Sequence, residues 1–194
     1  VEAWGVADAR RVYADGRVGS SFILFGVPPT TRIAPFAERE GRWLAAATPA
    51  EALPDLYINY EAEKLTAGPA VGETLNLKLN GLRETSARLV GISLRPFNAN
   101  AYLPYEAFER ATGERGRAGR LVVYMSGTED PAAQAVAAAA LAARYEAAGM
   151  TVLRAETAAS FRESYTAQFS TLVILLMSLA GLTAVVGGLG LANT

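Results

Sequence analysis

Acidic residues that lie close together in the sequence are the first candidates for chemistry. Two carboxylates at short spacing could share general acid and general base work. Three such pairs occur: Glu38 with Glu40, Glu61 with Glu63, and Glu129 with Asp130. No pair has an adjacent base or nucleophile, and such pairs are ordinarily solvated surface charges. We therefore predict no catalytic residue.

Other catalytic and cofactor patterns are missing as well. The sequence contains no histidine and no cysteine, which excludes a Ser-His-Asp triad, a Cys-His pair, His-ligated zinc and disulfide bonds. Ser20 and Ser21 lack the following glycine that a nucleophile elbow requires. Lys64 and Lys78 are the only lysines, and neither stands in a Gly-rich phosphate-binding loop. We expect no enzyme activity, no cofactor and no metal on this chain.

The charges nearly balance, with 18 Lys and Arg against 19 Asp and Glu and a net charge of −1. A chain without excess positive charge does not attract nucleic acid in general, and we expect no nucleic-acid partner. Four arginines flank the Gly-rich stretch 113–119 and could touch anionic lipid head groups or a partner, unless this stretch is a solvated loop. They are Arg110, Arg115, Arg117 and Arg120.

Aromatic residues could line an apolar binding surface, or they could pack in a core or at its rim. The six that we consider are Trp4, Trp43, Tyr57, Tyr60, Tyr102 and Tyr105. Each stands in an alternating or turn context, for which core packing is the ordinary explanation.

The first half of the chain predicts mainly strands. Residues 1–13 and 20–27 flank Asp15-Gly16, which predicts an antiparallel pair. Residues 33–44 predict a helical turn followed by a turn at Gly41. Residues 56–65 begin as a strand and end as a helix. Residues 74–79 and a returning strand to about Leu94 flank Asn80-Gly81, the strongest hairpin signal in the chain.

The pattern changes after the Gly-rich stretch. Residues 120–126 predict a strand, Asp130 and Pro131 begin a helix that Gly149 ends, and residues 150–154 predict a second strand. Strand, helix and strand in succession indicate a βαβ crossover with parallel strands. A last helix begins near Thr157. Phe161, Tyr165 and Phe169 recur every fourth residue and form an aromatic stripe along this helix. This stripe packs on its own domain or on a second copy.

The final stretch predicts a membrane helix. Residues 164–194 carry no charge, and about 21 of them, residues 172–192, are almost wholly apolar or small. As a helix this run spans roughly 30 Å, the thickness of the hydrocarbon core of a bilayer. Small residues at every fourth position would let a second membrane helix approach closely, unless the spacing is chance. These residues are Ala180, Ala184, Gly188 and Ala192.

These elements together predict an α+β fold in four parts. A mixed α/β lobe comprises residues 1–32 and 120–157, and a β-rich lobe is inserted at residues 33–119. A stalk helix at residues 158–171 continues into a truncated membrane helix at residues 172–194.

Short motifs along the chain resemble the extracytoplasmic domain of FtsX-like, MacB-type ABC transporter permeases. The matching segments are Glu40-Gly41-Arg42-Trp43-Leu44, residues 57–64, Val71-Gly72-Glu73-Thr74-Leu75, Val90-Gly91-Ile92, Tyr102-Leu103-Pro104 and Val-Gly-Gly-Leu-Gly-Leu-Ala-Asn at residues 186–193. Within them, the family motif positions are Gly41, Arg42, Gly187, Gly188 and Asn193. Two features depart from the family: the loop at residues 94–101 is shorter, and Ala192 stands where a bulkier residue is frequent.

The resemblance implies a permease subunit of an export or mechanotransmission ABC transporter. It would lie in the plasma (inner) membrane, with most of this fragment extracytoplasmic and beginning after a first membrane helix. The implied partners are an ABC ATPase subunit or domain, a second permease copy, membrane lipid and an extracytoplasmic protein. The alternative is a non-transporting module that recruits or activates a cell-wall hydrolase. No cofactor is implied.

Overall fold

A computed structural model describes residues 1–28, 30–32, 38–45, 52–94, 98–125 and 130–192. The chain forms two compact units, Val1–Tyr124 and Met125–Thr194. Among its described residues the first unit has eight strands and two short helices. They are β1 (Glu2–Val12), β2 (Val18–Val27), β3 (Glu38–Gly41), β4 (Asp55–Asn59), α1 (Tyr60–Leu65), β5 (Thr74–Leu79), β6 (Arg83–Ser93), β7 (Asn100–Pro104), α2 (Tyr105–Thr112) and β8 (Arg120–Val122).

Six of these strands pair into a closed ring in the order β1-β2-β7-β4-β6-β5, with β5 returning to β1. The β2–β7 and β4–β6 pairs are parallel, and the others are antiparallel. Both predicted hairpins are confirmed. At the second, Asn80 and Gly81 have φ angles of +48° and +71°, the left-handed conformations that a tight two-residue turn requires.

The main core lies inside the ring, and every second side chain along the strands points into it. Leu75, Leu77 and Leu79 of β5 are all buried there, as the sequence predicts. Ala62 of α1 and Phe108 of α2 complete this core. The remaining members are Ala7, Ala9, Phe22, Leu24, Leu56, Ile58, Ala87, Leu89, Ile92, Ala101 and Leu103.

Phe108 needs two glycines opposite it. Gly5 of β1 and Gly26 of β2 are cross-strand partners. A Cβ on Gly26 would lie 2.6 Å from the Phe108 Cβ, and one on Gly5 would lie 2.8 Å from its Cζ. The glycine pair thus forms the depression that holds the phenyl ring, and through it α2 is fixed to the sheet.

The second unit contains α3 (Pro131–Ala147) and α4 (Ala158–Ala192). Asp130 accepts hydrogen bonds from the Ala132 and Ala133 N–H groups, and Pro131 occupies the first turn, which confirms the predicted start of α3. At the start of α4, Thr157 and Ser160 cap each other's backbone N–H groups. The helix then continues for 35 residues.

The predicted βαβ crossover is corrected by the structure. Residues 150–156 form no strand, and β8 pairs antiparallel with β1. A strand persists only where its backbone groups find partners. In residues 150–154 no pairing is present, and Leu153 is 94% exposed.

Two further differences concern the first unit. The strands of residues 1–32 and of residues 33–119 share one ring, so the structure groups these residues differently from the predicted lobes. Residues 33–37 lie outside the described residues, and Glu38–Gly41 is a strand rather than part of a turn. Its pairing with β6 gives the backbone N–H and C=O groups of this segment their partners.

Candidate functional site

The segment of residues 41–45, which carries the Gly41 and Arg42 motif positions, crosses closely over β6. Gly41 has a φ of +82° and pairs with Gly91. A Cβ on Gly41 would lie 2.7 Å from the Gly91 Cα and closer still to the Val90 carbonyl oxygen. Only glycine combines this backbone conformation with this approach. The motif glycine therefore serves to bring the segment onto the sheet.

Arg42 fixes the segment by charge. Its Nη1 donates to the Asp55 Oδ2 at 2.7 Å and to the Trp43 carbonyl oxygen at 2.9 Å. The same Asp55 oxygen accepts the Ala45 N–H at 2.9 Å. Asp55 is only 7% exposed, so its charge has to be paired, and Arg42 provides the pairing. This motif arginine thus has a structural role.

Trp43 of this segment packs against a cluster that holds four further aromatic residues, and we call the five the outer aromatic cluster: Trp4, Phe25, Trp43, Tyr57 and Tyr102. In β4 and β7 these residues alternate with residues of the ring core, so the cluster lies on the opposite face of the sheet. Trp43 meets Tyr57 edge-on at 4.7 Å between centroids, and Phe25 stacks on Tyr102 at 5.6 Å. Such pairs contribute roughly 0.5–1.5 kcal/mol each beyond area burial.

The aromatic residues therefore pack in a core rather than line an open binding surface. Trp4, Tyr57 and Tyr102 are buried, and Trp43 packs against them. Tyr60 and Tyr105 stand apart from the cluster. Tyr60 is 38% exposed beneath Arg39 and Lys64, and the Tyr105 hydroxyl donates to the Arg117 carbonyl oxygen at 3.0 Å.

Two buried hydroxyl groups lie at the cluster, one on its member Tyr57 and one on Ser93. Among the described residues, neither the Tyr57 Oη nor the Ser93 Oγ has a hydrogen-bond partner by geometry. Burial, reinforced by the charge of Glu38, raises the pKa of Tyr57 to about 12. At neutral pH the phenol is protonated and cannot act as a base.

Of the three acidic pairs, Glu61 with Glu63 has a basic partner for each member. Glu61 pairs with Lys64 at 3.2 Å, and Glu63 pairs with Arg39. Glu38 and Glu40 stand exposed on β3, while Asp130 caps α3; Glu129 lies outside the described residues. Within the described ranges no group of acidic residues is arranged to hold a metal ion.

Glu2 forms a polar junction that the sequence did not reveal. Its carboxylate accepts hydrogen bonds from the Trp4 Nε1 at 3.0 Å, the Thr31 Oγ1 at 2.6 Å, the Arg32 N–H at 3.0 Å and the Tyr124 Oη at 3.2 Å. Burial alone would raise the pKa of Glu2, but these hydrogen bonds together lower it. Thr31, Arg32 and Tyr124 are distant from Glu2 in sequence, so no local pattern marks this site.

The predicted stalk and membrane residues lie on α4. Phe161 is 41% exposed, and Ala180 is exposed. Side chains of the other predicted contact and motif positions in this helix are outside the described part: Tyr165, Phe169, Ala184, Gly187, Gly188 and Ala192. Asn193 lies outside it as well. Within the part of the chain that is described, no helix has the length and apolarity needed to cross a membrane. The membrane helix stays a prediction.

No protein-family model and no curated protein matches the chain. Several solved structures are similar to it, among them the following two. One is the extracellular domain of the noncanonic ABC-type transporter YknZ from Gram-positive bacteria, with 14% identity, a TM-score of 0.46 and coverage of 58% of each chain. The other is the periplasmic region of MacB from Actinobacillus actinomycetemcomitans, with 14% identity and a TM-score of 0.49, covering 75% of this chain and 65% of that one. The chain thus spans less than two thirds of either structure.

Proposed function

We propose that this chain is the extracytoplasmic domain of an ABC transporter permease together with the membrane helix that follows it. The observation that carries the proposal is the surface of α4. Every residue from 172 to 183 is exposed, and the large apolar side chains among them are 52–71% exposed. They are Leu172, Val173, Ile174, Leu175, Leu176, Met177, Leu179 and Leu182.

An apolar surface of this kind needs a non-aqueous environment. Consecutive helical residues point in all directions around the axis, so no face of this run is suited to water. Complete burial of such a side chain contributes roughly 1.5–3 kcal/mol. Lipid, or other helices within lipid, would supply this burial on every side at once.

The motif segments support the same proposal. Gly41 and Arg42, on which the resemblance partly rests, fold the segment of residues 41–45 over the sheet. Their residue types thus match a specific structural need of this fold.

The mechanism that follows is mechanical. We assign ATP hydrolysis to a separate ATPase subunit or domain, since the sequence has no lysine in a Gly-rich phosphate-binding loop. Over its 35 residues α4 measures roughly 50 Å at the rise of an α-helix. A continuous helix of this length would transmit displacement between the membrane and the extracytoplasmic side.

Site-directed labelling tests the proposal, since the chain has no native cysteine. In intact cells that express the full-length gene product, a membrane-impermeant maleimide should label Leu82→Cys at the β5–β6 turn, where the native side chain is 88% exposed. Ala180→Cys in α4 should stay unlabelled until the membrane is dissolved and the protein denatured. Val136→Cys in α3, at a 72% exposed position, serves as a second accessible control.

Labelling of Ala180→Cys in intact membranes would contradict the membrane helix. Purification of the full-length product in mild detergent tests the partner, and we expect a Walker-type ATPase to be recovered with it. Recovery of a cell-wall hydrolase without an ATPase would favour the interaction module instead.

A further inference from the structure

A groove of about 380 Å³ lies between α2 and the first residues of β6, beside the β5–β6 turn. Its apolar lining comes from Ala52, Pro54, Ala107 and Ala111. Its polar lining comes from Arg83, Glu84, Thr85 and Arg110. None of these residues belongs to the outer aromatic cluster or to α4.

Three charged residues line the groove. Arg83 pairs with Leu79 and Thr85 pairs with Leu77, so both share the face of the sheet that bears the ring core. Glu84 pairs with Lys78, and alternation places it on the other face of β6, although it also lines the groove. The charged lining is therefore two arginines and one glutamate, and its net charge is positive.

Both arginines line the groove near the C-terminal end of α2. A Cβ on Gly113, which follows α2, would lie 2.6 Å from the Arg83 Nη1, so this guanidinium packs against the end of the helix. Arg110 stands in the last turn of the same helix. Within the described residues neither side chain forms an ion pair. The Oε1 atom of the nearby Glu109 accepts a hydrogen bond from the Gly116 N–H at 2.6 Å.

We propose that this groove binds a phosphate monoester, with both guanidinium groups on the phosphate oxygens and an apolar substituent on the alanine and proline lining. Two guanidinium groups supply two positive charges and several N–H donors in planar forks. A phosphate monoester carries a charge of about −1.5 to −2 and three terminal oxygens, so it matches both arginines. A carboxylate has a single charge and two oxygens and would satisfy only one of them. The proposal does not depend on the transporter function.

Nuclear magnetic resonance titration of the 194-residue chain in nonionic detergent tests the proposal, with phenyl phosphate as the probe. We expect saturable shifts of the Arg83 and Arg110 Nε–H signals and of the Ala107 and Ala111 amides. Arg83→Gln and Arg110→Gln should each weaken binding roughly tenfold, since each removes charge-assisted hydrogen bonds. Arg83→Lys keeps the charge without the fork and should lie between the wild type and Arg83→Gln.

Arg115→Gln is the matched control, because it removes the same charge from the exposed loop and should change affinity less than about twofold. Unchanged amide shifts in the ring strands will show that each variant is folded.

Absence of a saturable shift, or an equal loss of affinity in Arg115→Gln, would overturn the site. Phenylacetate binding as tightly as phenyl phosphate would overturn the preference for phosphate. Dihexanoyl phosphatidic acid binding more tightly than phenyl phosphate indicates a lipid head group as the source, and the reverse order indicates a free ester; both support the site.

Discussion

Replacing Gly41 by alanine tests the close approach between β3 and β6. The backbone at φ +82° costs a residue with a side chain about 1–2 kcal/mol. Gly16 offers a matched control, because it has the same φ of +82° and nothing within 4 Å of the position a Cβ would take. Gly16→Ala should therefore show the conformational cost alone.

The additional cost at Gly41 comes from crowding. The new methyl group would be 2.7 Å from the Gly91 Cα and even closer to the Val90 carbonyl oxygen, and neither backbone atom can rotate away. Relief requires β3 to leave β6, which breaks the Arg42 N–H to Val90 O hydrogen bond of 2.9 Å and the neighbouring ladder bonds. At roughly 0.5–1.5 kcal/mol each, two or three lost hydrogen bonds add about 2–3 kcal/mol. We expect a total destabilisation of about 3–5 kcal/mol for Gly41→Ala.

Urea unfolding in a nonionic detergent, followed by tryptophan fluorescence, measures this difference. Trp4 and Trp43 are the only tryptophans and both belong to the first unit, so the signal reports on that unit. Trp43 lies in the affected segment, and its emission in native buffer will show whether the segment has detached. Equal free energies of unfolding for the two variants, within about 0.5 kcal/mol, would refute the close-approach argument.

Three other substitutions test separate contacts. Phe108→Ala empties the depression at Gly5 and Gly26 and should lower the free energy of unfolding by about 3–5 kcal/mol in the same urea assay. Leu82→Ala is its control: at an 88% exposed position it should change the free energy of unfolding by less than about 0.5 kcal/mol. Burial raises the pKa of Tyr57 from 10.0 to about 12, so its contribution to stability is complete below pH 10 and is lost as pH rises to 12. Tyr57→Phe should reduce this alkaline loss of stability, measured by urea unfolding at a series of pH values. An unchanged pH profile would contradict the assignment. The pKa of Glu2 is lowered, so its contribution to stability has the opposite pH dependence: it is present above pH 4.5 and is lost in more acidic solution. Glu2→Gln should therefore make the melting temperature depend less on pH between pH 6 and pH 3. A pH dependence as steep as that of the wild type would argue against the junction.

Local signals predicted the turns and caps but not the closure of the sheet. Asn80-Gly81 and Asp130-Pro131 act within a few residues, and both do what their chemistry indicates. The ring depends on pairs such as β2 with β7, whose residues are far apart in sequence. Register between such strands is set by the whole core, so no short pattern specifies it.

The βαβ prediction failed because the same sequence pattern fits a paired strand and an unpaired extended stretch. Residues 150–154 have strand-like composition but no pairing partner. The parallel pairs that do exist use other strands. The candidate groove shows a similar limit: Arg110 stands out in the sequence among four arginines, whereas Arg83 comes from another element and no local pattern links the two.

The position of β7 determines when the first unit can fold during synthesis. β7 is the last of the ring strands to leave the ribosome, yet it sits between β2 and β4, which are made much earlier. Until Pro104 has emerged, both of those strands present unsatisfied backbone groups along one side, where another nascent chain can pair with them. A translocating chain would face this hazard for as long as residues 100–104 are still behind the pore, so we expect holdase chaperones to shield it over that interval.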